Sequence, residues 1–288
     1  MPHFNTLISV TELQTLLASG QPCMVFDCSS DLMQPANGLA QYLDSHIAGA
    51  LHADLNQVLS APHGATDAAS GGRHPLPARS HFAAWLGSIG FDNTMQAVVY
   101  DRQGANYCGR LWWMLKWLGH AHVAVLDGGL QAWQAGAAAL ESGAGSTRTP
   151  SQFQLGAPLV TLVDVGTVQK NLGSPQQHIL DARATPRFRG EVEPIDPVAG
   201  HIPGALNRPF ASNLGSDGRF KPAATLRAEF DALLGARAAS AVVHHCGSGV
   251  SAVPNLLAME IAGLPGSALF AGSWSEWCSD PARPVAQG

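Results

Sequence analysis

Five blocks of this 288-residue sequence recur in the same order in its second half, which indicates that one unit has been duplicated. The matching pairs are 7–13 with 162–168, 25–27 with 179–181, 46–50 with 201–205, 98–104 with 243–249, and 127–133 with 271–277. A duplication places the domain boundary more firmly than composition does, because each copy is expected to form its own structural unit. The repeat therefore predicts two domains of similar fold.

The segment that joins the two copies, from Glu141 to Pro150 and a few residues beyond, is polar and rich in small residues. It has no hydrophobic period, which is typical of a linker. We predict a first domain over residues 1–145, a linker over 146–158 and a second domain over 159–288.

Within each copy, short apolar runs alternate with longer helical patterns. The clearest predicted strands are 23–26, 97–100, 123–126, 179–180, 241–243 and 268–270, and the clearest predicted helices are 110–118 and 251–262. This alternation predicts an α/β fold, in which each domain has a mostly parallel sheet with helices on both faces. Ligands of such sheets bind beyond the carboxyl ends of the strands. The loops at 101–107 and 246–252 are therefore the candidate sites.

Composition and charge exclude several classes of function. Charged residues make up 13% of the chain and hydrophobic residues 46%, which excludes a disordered protein. The formal net charge of −5 leaves no basic surface for nucleic acid. The N-terminus is unlike a secretory signal, and no apolar run reaches the roughly 18 residues that a membrane span needs. We expect neither a nucleic-acid nor a membrane partner.

The five cysteines are odd in number and contain no C-x2-C pair. A disulfide framework and a zinc site both fit this pattern poorly. We therefore expect free thiols, no metal and a cytoplasmic location.

The loop that carries chemistry begins at Cys246, directly after the predicted strand 241–245. Two glycines, Gly247 and Gly249, let successive backbone N–H groups turn toward one point, and the following helix adds its positive N-terminal end. Such a cradle favours a nucleophilic thiolate over the small buried hydrophobe that a free cysteine commonly is. The predicted catalytic loop consists of Cys246, Gly247, Ser248, Gly249, Val250 and Ser251.

Cysteine phosphatases use a similar loop, and His245-Cys246 matches the start of their His-Cys-x5-Arg pattern. That chemistry needs an arginine at the end of the loop to hold the phosphate oxygens. Position 252 is alanine, so a phosphatase is disfavoured.

The sequence resembles the rhodanese-type sulfurtransferases through most of its length. The segments that carry the resemblance are 127–130, 181–190, 200–207, 246–252 and 272–277. The loop 246–252 is similar to that of the 3-mercaptopyruvate sulfurtransferases, with Ser251 where threonine is usual. The resemblance implies a catalytically silent first domain, in which Asp101 stands in place of the cysteine.

For the chemistry, the resemblance implies a sulfur relay that needs no metal or organic cofactor. Cys246 takes a sulfane sulfur from a small-molecule donor as a persulfide, and a thiol or cyanide acceptor then removes it. A thioredoxin-like reductant is a further expected partner. Two alternatives stay open: thiosulfate as the donor, and a persulfide carrier that hands sulfur to a protein partner.

The residues after Cys246 bear on the choice of donor. Thiosulfate-preferring members of the family carry Arg and Lys there, which suits a small dianion. This chain has Gly247 and Ser248, and the neutral pair favours a monoanionic α-keto thiol, 3-mercaptopyruvate.

Arg187 matches the family's substrate arginine and is predicted to bind the donor carboxylate. A second carboxylate-binding arginine usually lies about nine residues further on. This chain has no arginine there, and Arg189 and Arg208 are conceivable replacements.

His74 matches a first-domain histidine that some members of the family couple to the loop serine in a relay like Ser/His/Asp. It is predicted to lie near the substrate. The acidic member of that relay falls at Asn56, with Asp54 two residues earlier.

Other conspicuous residues have structural explanations. We expect Asp181 and Arg183 to form an ion pair that shapes the active loop. His46 and His201 occur in both copies, so we expect them to tie a turn to the sheet.

Trp112, Trp113 and Trp117 have helical spacing and predict core or interface packing. Trp274 and Trp277 either wall the pocket beside Cys246 or pack in the core. The nearby Cys278 makes a regulatory disulfide with Cys246 conceivable. These last two ideas come from sequence proximity alone.

Overall fold

A computed structural model describes residues 3–288 of the chain. The chain divides into two compact units of discontinuous sequence. The first unit holds the described residues up to Pro62 together with Pro77–Leu159 and Ser216–Phe220. The second holds His63–Leu76, Val160–Gly215 and Lys221–Gly288. The domain bounds predicted from sequence remain a prediction, and the segment His63–Leu76 groups with the second unit although it lies early in the chain.

The first unit contains a five-stranded parallel sheet and a small antiparallel pair. Its strands are β1 Leu7–Ile8, β2 Cys23–Asp27, β3 His46–Ile47, β4 Leu51–His52, β5 Gln96–Tyr100, β6 Val123–Leu126 and β7 Leu140–Glu141. Its helices are α1 Val10–Ala18, α2 Ala36–Asp44, α3 Arg79–Ser88, α4 Cys108–Trp117 and α5 Gly129–Ala135. The sheet order is β1-β6-β5-β2-β4, and β3 pairs with β7.

The second unit repeats this architecture. Its strands are β8 Thr161–Leu162, β9 His178–Asp181, β10 Leu206–Asn207, β11 Val242–His245 and β12 Ala268–Leu269. Its α-helices are α6 Val165–Lys170, α7 Thr185–Arg189, α8 Ala223–Leu234, α9 Val253–Ile261 and α10 Ser273–Trp277, and 3-10 turns span Phe210–Asn213 and Ala239–Ala241. The sheet order, read from the other edge, is β8-β12-β11-β9-β10, the same order of elements as in the first unit.

All pairings within the two five-stranded sheets are parallel, and helices flank both sheets. The predicted α/β class is therefore confirmed. Ser9 caps α1 in a reciprocal capping box with Glu12. The central strands β5 and β11 are buried along their whole length, as parallel strands covered on both faces are.

Each unit has its own hydrophobic core. In the first, Ile8, Val98 and Leu126 pack around Trp133. All ten residues of α4 are buried, so Trp112, Trp113 and Trp117 are packing residues. The segment predicted as a linker runs along the first unit, where the Ser151 N–H donates to the Gly87 carbonyl and the Gly156 N–H to the Leu118 carbonyl.

Among residues 3–288, no helix is both long enough and apolar enough to cross a membrane.

Candidate active site

The Cys246 loop leaves the carboxyl end of the central strand β11 and leads into α9, as predicted. Three hydrogen bonds anchor its start to α10. The Trp274 N–H donates to the Cys246 carbonyl at 3.0 Å, and the Ser275 N–H to the Gly247 carbonyl at 2.9 Å. The Cys246 N–H donates to Ser273 Oγ at 3.1 Å. The carbonyl groups at the start of the loop are thus engaged by α10.

Gly249 is required by the backbone of this loop. Its φ of +75° lies in the left-handed region, and a Cβ at this position would overlap the carbonyl oxygen of Ala271. Any other residue would move the loop away from Ala271.

The corresponding loop of the first unit shows what such a backbone binds. The carboxylate of Asp101, at the position that matches Cys246, accepts hydrogen bonds from four backbone N–H groups between 2.8 and 3.1 Å. These N–H groups belong to Gln103, Ala105, Tyr107 and Cys108. In the first copy, the loop therefore holds an anion supplied by its own sequence.

The Cys246 loop has the corresponding backbone N–H groups, but a cysteine stands where the first copy has Asp101. By the repeat, Gln103, Ala105 and Tyr107 correspond to Ser248, Val250 and Ala252. The N–H groups of these three residues are the candidate donors to a sulfur anion on Cys246. Cys246 itself is 2% exposed. A thiolate or persulfide anion there would meet backbone donors equivalent to those that bind the Asp101 carboxylate.

Ser248 and His74 form a buried hydrogen-bonded pair, with 2.7 Å between Ser248 Oγ and His74 Nδ1. Both residues belong to the second unit. The structure thus brings His74 to the loop, while its role toward substrate stays a prediction. Asp54, considered for the relay, accepts the backbone N–H groups of Asn56 and Gln57, so its carboxylate caps its own turn.

Arg187 lies beside the loop. A Cβ placed on Gly247 would be 3.5 Å from Nη1 of Arg187. Glu193 binds the guanidinium through Nη2 at 2.7 Å and Nε at 3.2 Å, and Asp196 accepts from Nη2 at 3.2 Å. Burial raises the pKa of Glu193, but hydrogen bonds from Arg187 and from two backbone N–H groups outweigh it, and the net pKa is lowered. Glu193 is therefore ionised and orients Arg187.

Arg73 is a second arginine beside the loop, and the sequence analysis did not name it. Its Nη2 would lie 3.3 Å from a Cβ on Gly247, and its Nη1 donates to Asp196 Oδ1 at 2.5 Å. The available signal was Asp196 itself, a carboxylate nine positions after Arg187, where the family usually has an arginine.

The two suggested replacement arginines are engaged elsewhere. Arg208 donates to Asn213 and Glu229, and its guanidinium covers the Phe230 ring. Arg189 is half exposed and faces Glu191 at 3.7 Å. Neither is among the groups nearest Gly247, so Arg73 is the stronger candidate for the second arginine.

The expected ion pair between Asp181 and Arg183 is present beneath the loop. Arg183 Nη2 lies 2.7 Å from Asp181 Oδ2, and both side chains are buried. Burial raises the pKa of Asp181, but His245 and Arg183 outweigh it and lower the pKa overall. Burial also lowers the pKa of His245, and Asp181, whose Oδ2 is 3.5 Å from Nε2 of His245, opposes that effect. The pair fixes the strand ends from which the loop departs.

The remaining candidates are structural. Trp274 and Trp277 are fully buried members of the second core, and the Trp274 indole donates to the Val198 carbonyl. The His201 ring bonds the Phe188 carbonyl through Nδ1, and the His201 backbone pairs with Ala286 in an isolated β-bridge. The His46 ring bonds the Tyr42 carbonyl through Nδ1. The two indoles lie in the core, so they do not wall the pocket. All five cysteines are free thiols, and the regulatory disulfide stays a prediction.

No cluster of three or more His, Cys, Asp or Glu side chains suited to a metal ion occurs within the described range 3–288.

The chain belongs to the rhodanese family, since the model of the rhodanese-like domain matches residues 9–136 and 164–280. It is similar to tandem-domain sulfurtransferases along nearly its whole length. A Pseudomonas aeruginosa protein named as a probable 3-mercaptopyruvate sulfurtransferase is 50% identical over 268 residues, which cover 92% of each chain. A Mycobacterium tuberculosis protein with the provisional name thiosulfate sulfurtransferase SseB is 39% identical and covers 98% of this chain and 97% of its own.

Among solved structures, SseA from Escherichia coli, described as a 3-mercaptopyruvate sulfotransferase, superposes with a TM-score of 0.77 at 29% identity. The superposition covers 94% of this chain and all of SseA. The predicted family is therefore confirmed: the protein is a sulfurtransferase with two rhodanese domains.

Proposed function

We propose that this protein transfers sulfur from 3-mercaptopyruvate through a persulfide on Cys246 to a thiol or cyanide acceptor. The observation that supports it most is the grouping of Cys246, the Ser248–His74 pair and the Arg187 guanidinium around one loop. This grouping supplies a nucleophile, a proton-handling pair and a carboxylate partner. The first domain is proposed to be silent, because Asp101 fills its loop with a carboxylate that is not a sulfur nucleophile.

The proposed reaction forms one S–S bond. The Cys246 thiolate attacks the thiol sulfur of the donor, and the donor's C–S bond breaks with its electron pair passing to carbon. The pyruvate enolate that leaves takes up the proton of the donor thiol. The products are pyruvate and a persulfide anion on Cys246. An acceptor thiolate or cyanide then attacks the outer sulfur and releases the Cys246 thiolate.

Each protein group has a part in these steps. The N–H groups of Ser248, Val250 and Ala252 stabilise the sulfur anion before and after transfer. Ser248, bonded to His74, is placed to pass the thiol proton toward the enolate carbon. Arg187 binds the carboxylate, for which the guanidinium fork is the suitable geometry.

The donor is the part of the proposal that steady-state kinetics tests most directly. We expect kcat/KM for 3-mercaptopyruvate to exceed that for thiosulfate by at least about tenfold with cyanide, dithiothreitol or a thioredoxin-like reductant as acceptor. Comparable values would assign the protein to thiosulfate. Very slow turnover with both donors would favour a persulfide carrier. Free thiols suit the reducing cytoplasm, where we propose that the protein works.

A further inference from the structure

Two arginines from distant parts of the chain meet at the residue next to Cys246. A methyl group on Gly247 would lie 3.3 Å from Nη2 of Arg73, and 3.5 and 3.7 Å from the Nη atoms of Arg187. Gly247 has no side chain to fill the space between the guanidinium groups and the loop. The structure thus concentrates two positive groups at one point of the site.

A single buried carboxylate holds the two arginines together. Asp196 accepts from Arg73 Nη1 through Oδ1 at 2.5 Å and from Arg187 Nη2 through Oδ2 at 3.2 Å. Its side chain is 4% exposed. Two adjacent guanidinium ions repel each other, and a carboxylate that shares one oxygen with each offsets that repulsion. Asp196 therefore serves to position the pair.

The backbone of Arg73 is also held in place, but part of its guanidinium makes no hydrogen bond within the described residues. Its backbone N–H donates to Ser275 Oγ at 3.0 Å, on the same helix that anchors the loop. Within the described part of the chain, neither Nε nor Nη2 of Arg73 has a hydrogen-bond acceptor, and Nε is buried. A buried guanidinium donor without an acceptor is costly, which indicates an anionic ligand at this edge.

We propose that Arg73 binds the donor carboxylate together with Arg187, with Asp196 as the positioning residue. This inference rests on the proposed function and names the group that selects an α-keto acid donor. The planar Nε–Nη2 edge of Arg73 suits a carboxylate, and Arg187 approaches the same space from the other side. The site would thus have two arginines although the position nine residues after Arg187 is acidic.

The first test measures KM for 3-mercaptopyruvate in Arg73→Gln. We expect KM to rise about ten- to a hundredfold with a smaller change in kcat, because a charge-assisted hydrogen bond to the carboxylate is lost. The inhibition constant of pyruvate, which keeps the carboxylate and lacks the sulfur, should rise in parallel. Arg227→Gln is the matched control, since Arg227 is half exposed and pairs with Asp231 on its own helix.

The second test exchanges the two charges. Asp196→Arg and Arg73→Asp should each raise KM, and the double variant should restore it to within about fivefold of the unmodified protein, because a guanidinium again faces Arg187 across a carboxylate. An unchanged KM in Arg73→Gln, or a loss of kcat and thermal stability with KM and pyruvate inhibition unchanged, would overturn the inference. If the unmodified protein does not turn over 3-mercaptopyruvate, the proposed function itself fails, which is a separate result.

Discussion

His74 Nδ1 lies 2.7 Å from Ser248 Oγ in the second unit, and both residues are at most 5% exposed. A buried hydrogen bond of this length couples the two side chains, so that changes to either act on one proton path.

We expect His74→Ala and Ser248→Ala each to lower kcat for 3-mercaptopyruvate by about a hundredfold, the usual scale of proton-transfer assistance. The double variant should be little worse than either single one, because the pair works as a unit. Ser279→Ala is the control, since Ser279 is exposed and its hydroxyl donates to the Glu276 carbonyl. Additive losses in the double variant would show that the two side chains act independently.

Cys246 is expected to be the sole persulfide site. Burial raises the pKa of Cys23 to about 12 and raises the pKa values of Cys28, Cys108 and Cys278, so these four thiols are protonated at pH 8. After donor treatment, peptide mass spectrometry should find about 32 Da added at Cys246 alone. Cys246→Ser should be inactive and Cys278→Ser active. A stable persulfide on another cysteine would refute the assignment.

Gly249→Ala should disrupt the loop and abolish activity. The added methyl group meets the Ala271 carbonyl and the backbone is left-handed, so we expect a loss above about 3 kcal/mol in the free energy of unfolding. Gly204→Ala is a matched control, because Gly204 has a φ of +79° with nothing within 4 Å. That variant should lose only about 1 kcal/mol. Urea unfolding measures both free energies. Equal losses in the two variants would show that the overlap with Ala271 is relieved at no cost.

His244→Phe should reduce the sensitivity of the fold to mild acid. Burial, with a smaller effect of His245, lowers the pKa of His244 to about 3, and neither ring nitrogen has a partner within residues 3–288. Its unfolded pKa is about 6.5. The unfolded state therefore binds the extra proton between these values, and stability present above pH 6.5 is lost as the pH falls toward 3.

Removing His244 should flatten the dependence of unfolding free energy on pH by about 1 kcal/mol per pH unit between pH 6 and 5. Denaturant unfolding at several pH values measures this slope. The exposed His63 provides the control, and His63→Gln should keep the wild-type slope. An unaltered slope in His244→Phe would mean that His244 does not titrate differently in the two states.

The sequence alone predicted the fold, which is confirmed, and it named Cys246 as the nucleophile, which stays a prediction. The apolar run 123–126 coincides with β6 Val123–Leu126, and the run 241–243 overlaps β11 Val242–His245. Such elements are predictable because hydrophobic period and β-rich composition are local properties of a few consecutive residues. The repeat then predicted that both copies share one topology. The position of Cys246 between a predicted strand and a glycine-rich turn indicated that it is the nucleophile.

Only the tertiary structure placed a second arginine, Arg73, beside the loop. Arg73 and Asp196 are 123 residues apart in sequence, and no local pattern relates them. Their contact depends on the packing of the segment His63–Leu76 in the second unit and on the bond from Arg73 to Ser275. The same is true of Trp274 and Trp277, which sequence proximity placed equally well in the core or at the pocket. Contacts between side chains that are distant in sequence depend on how whole helices and strands pack together. Local sequence patterns therefore do not predict them.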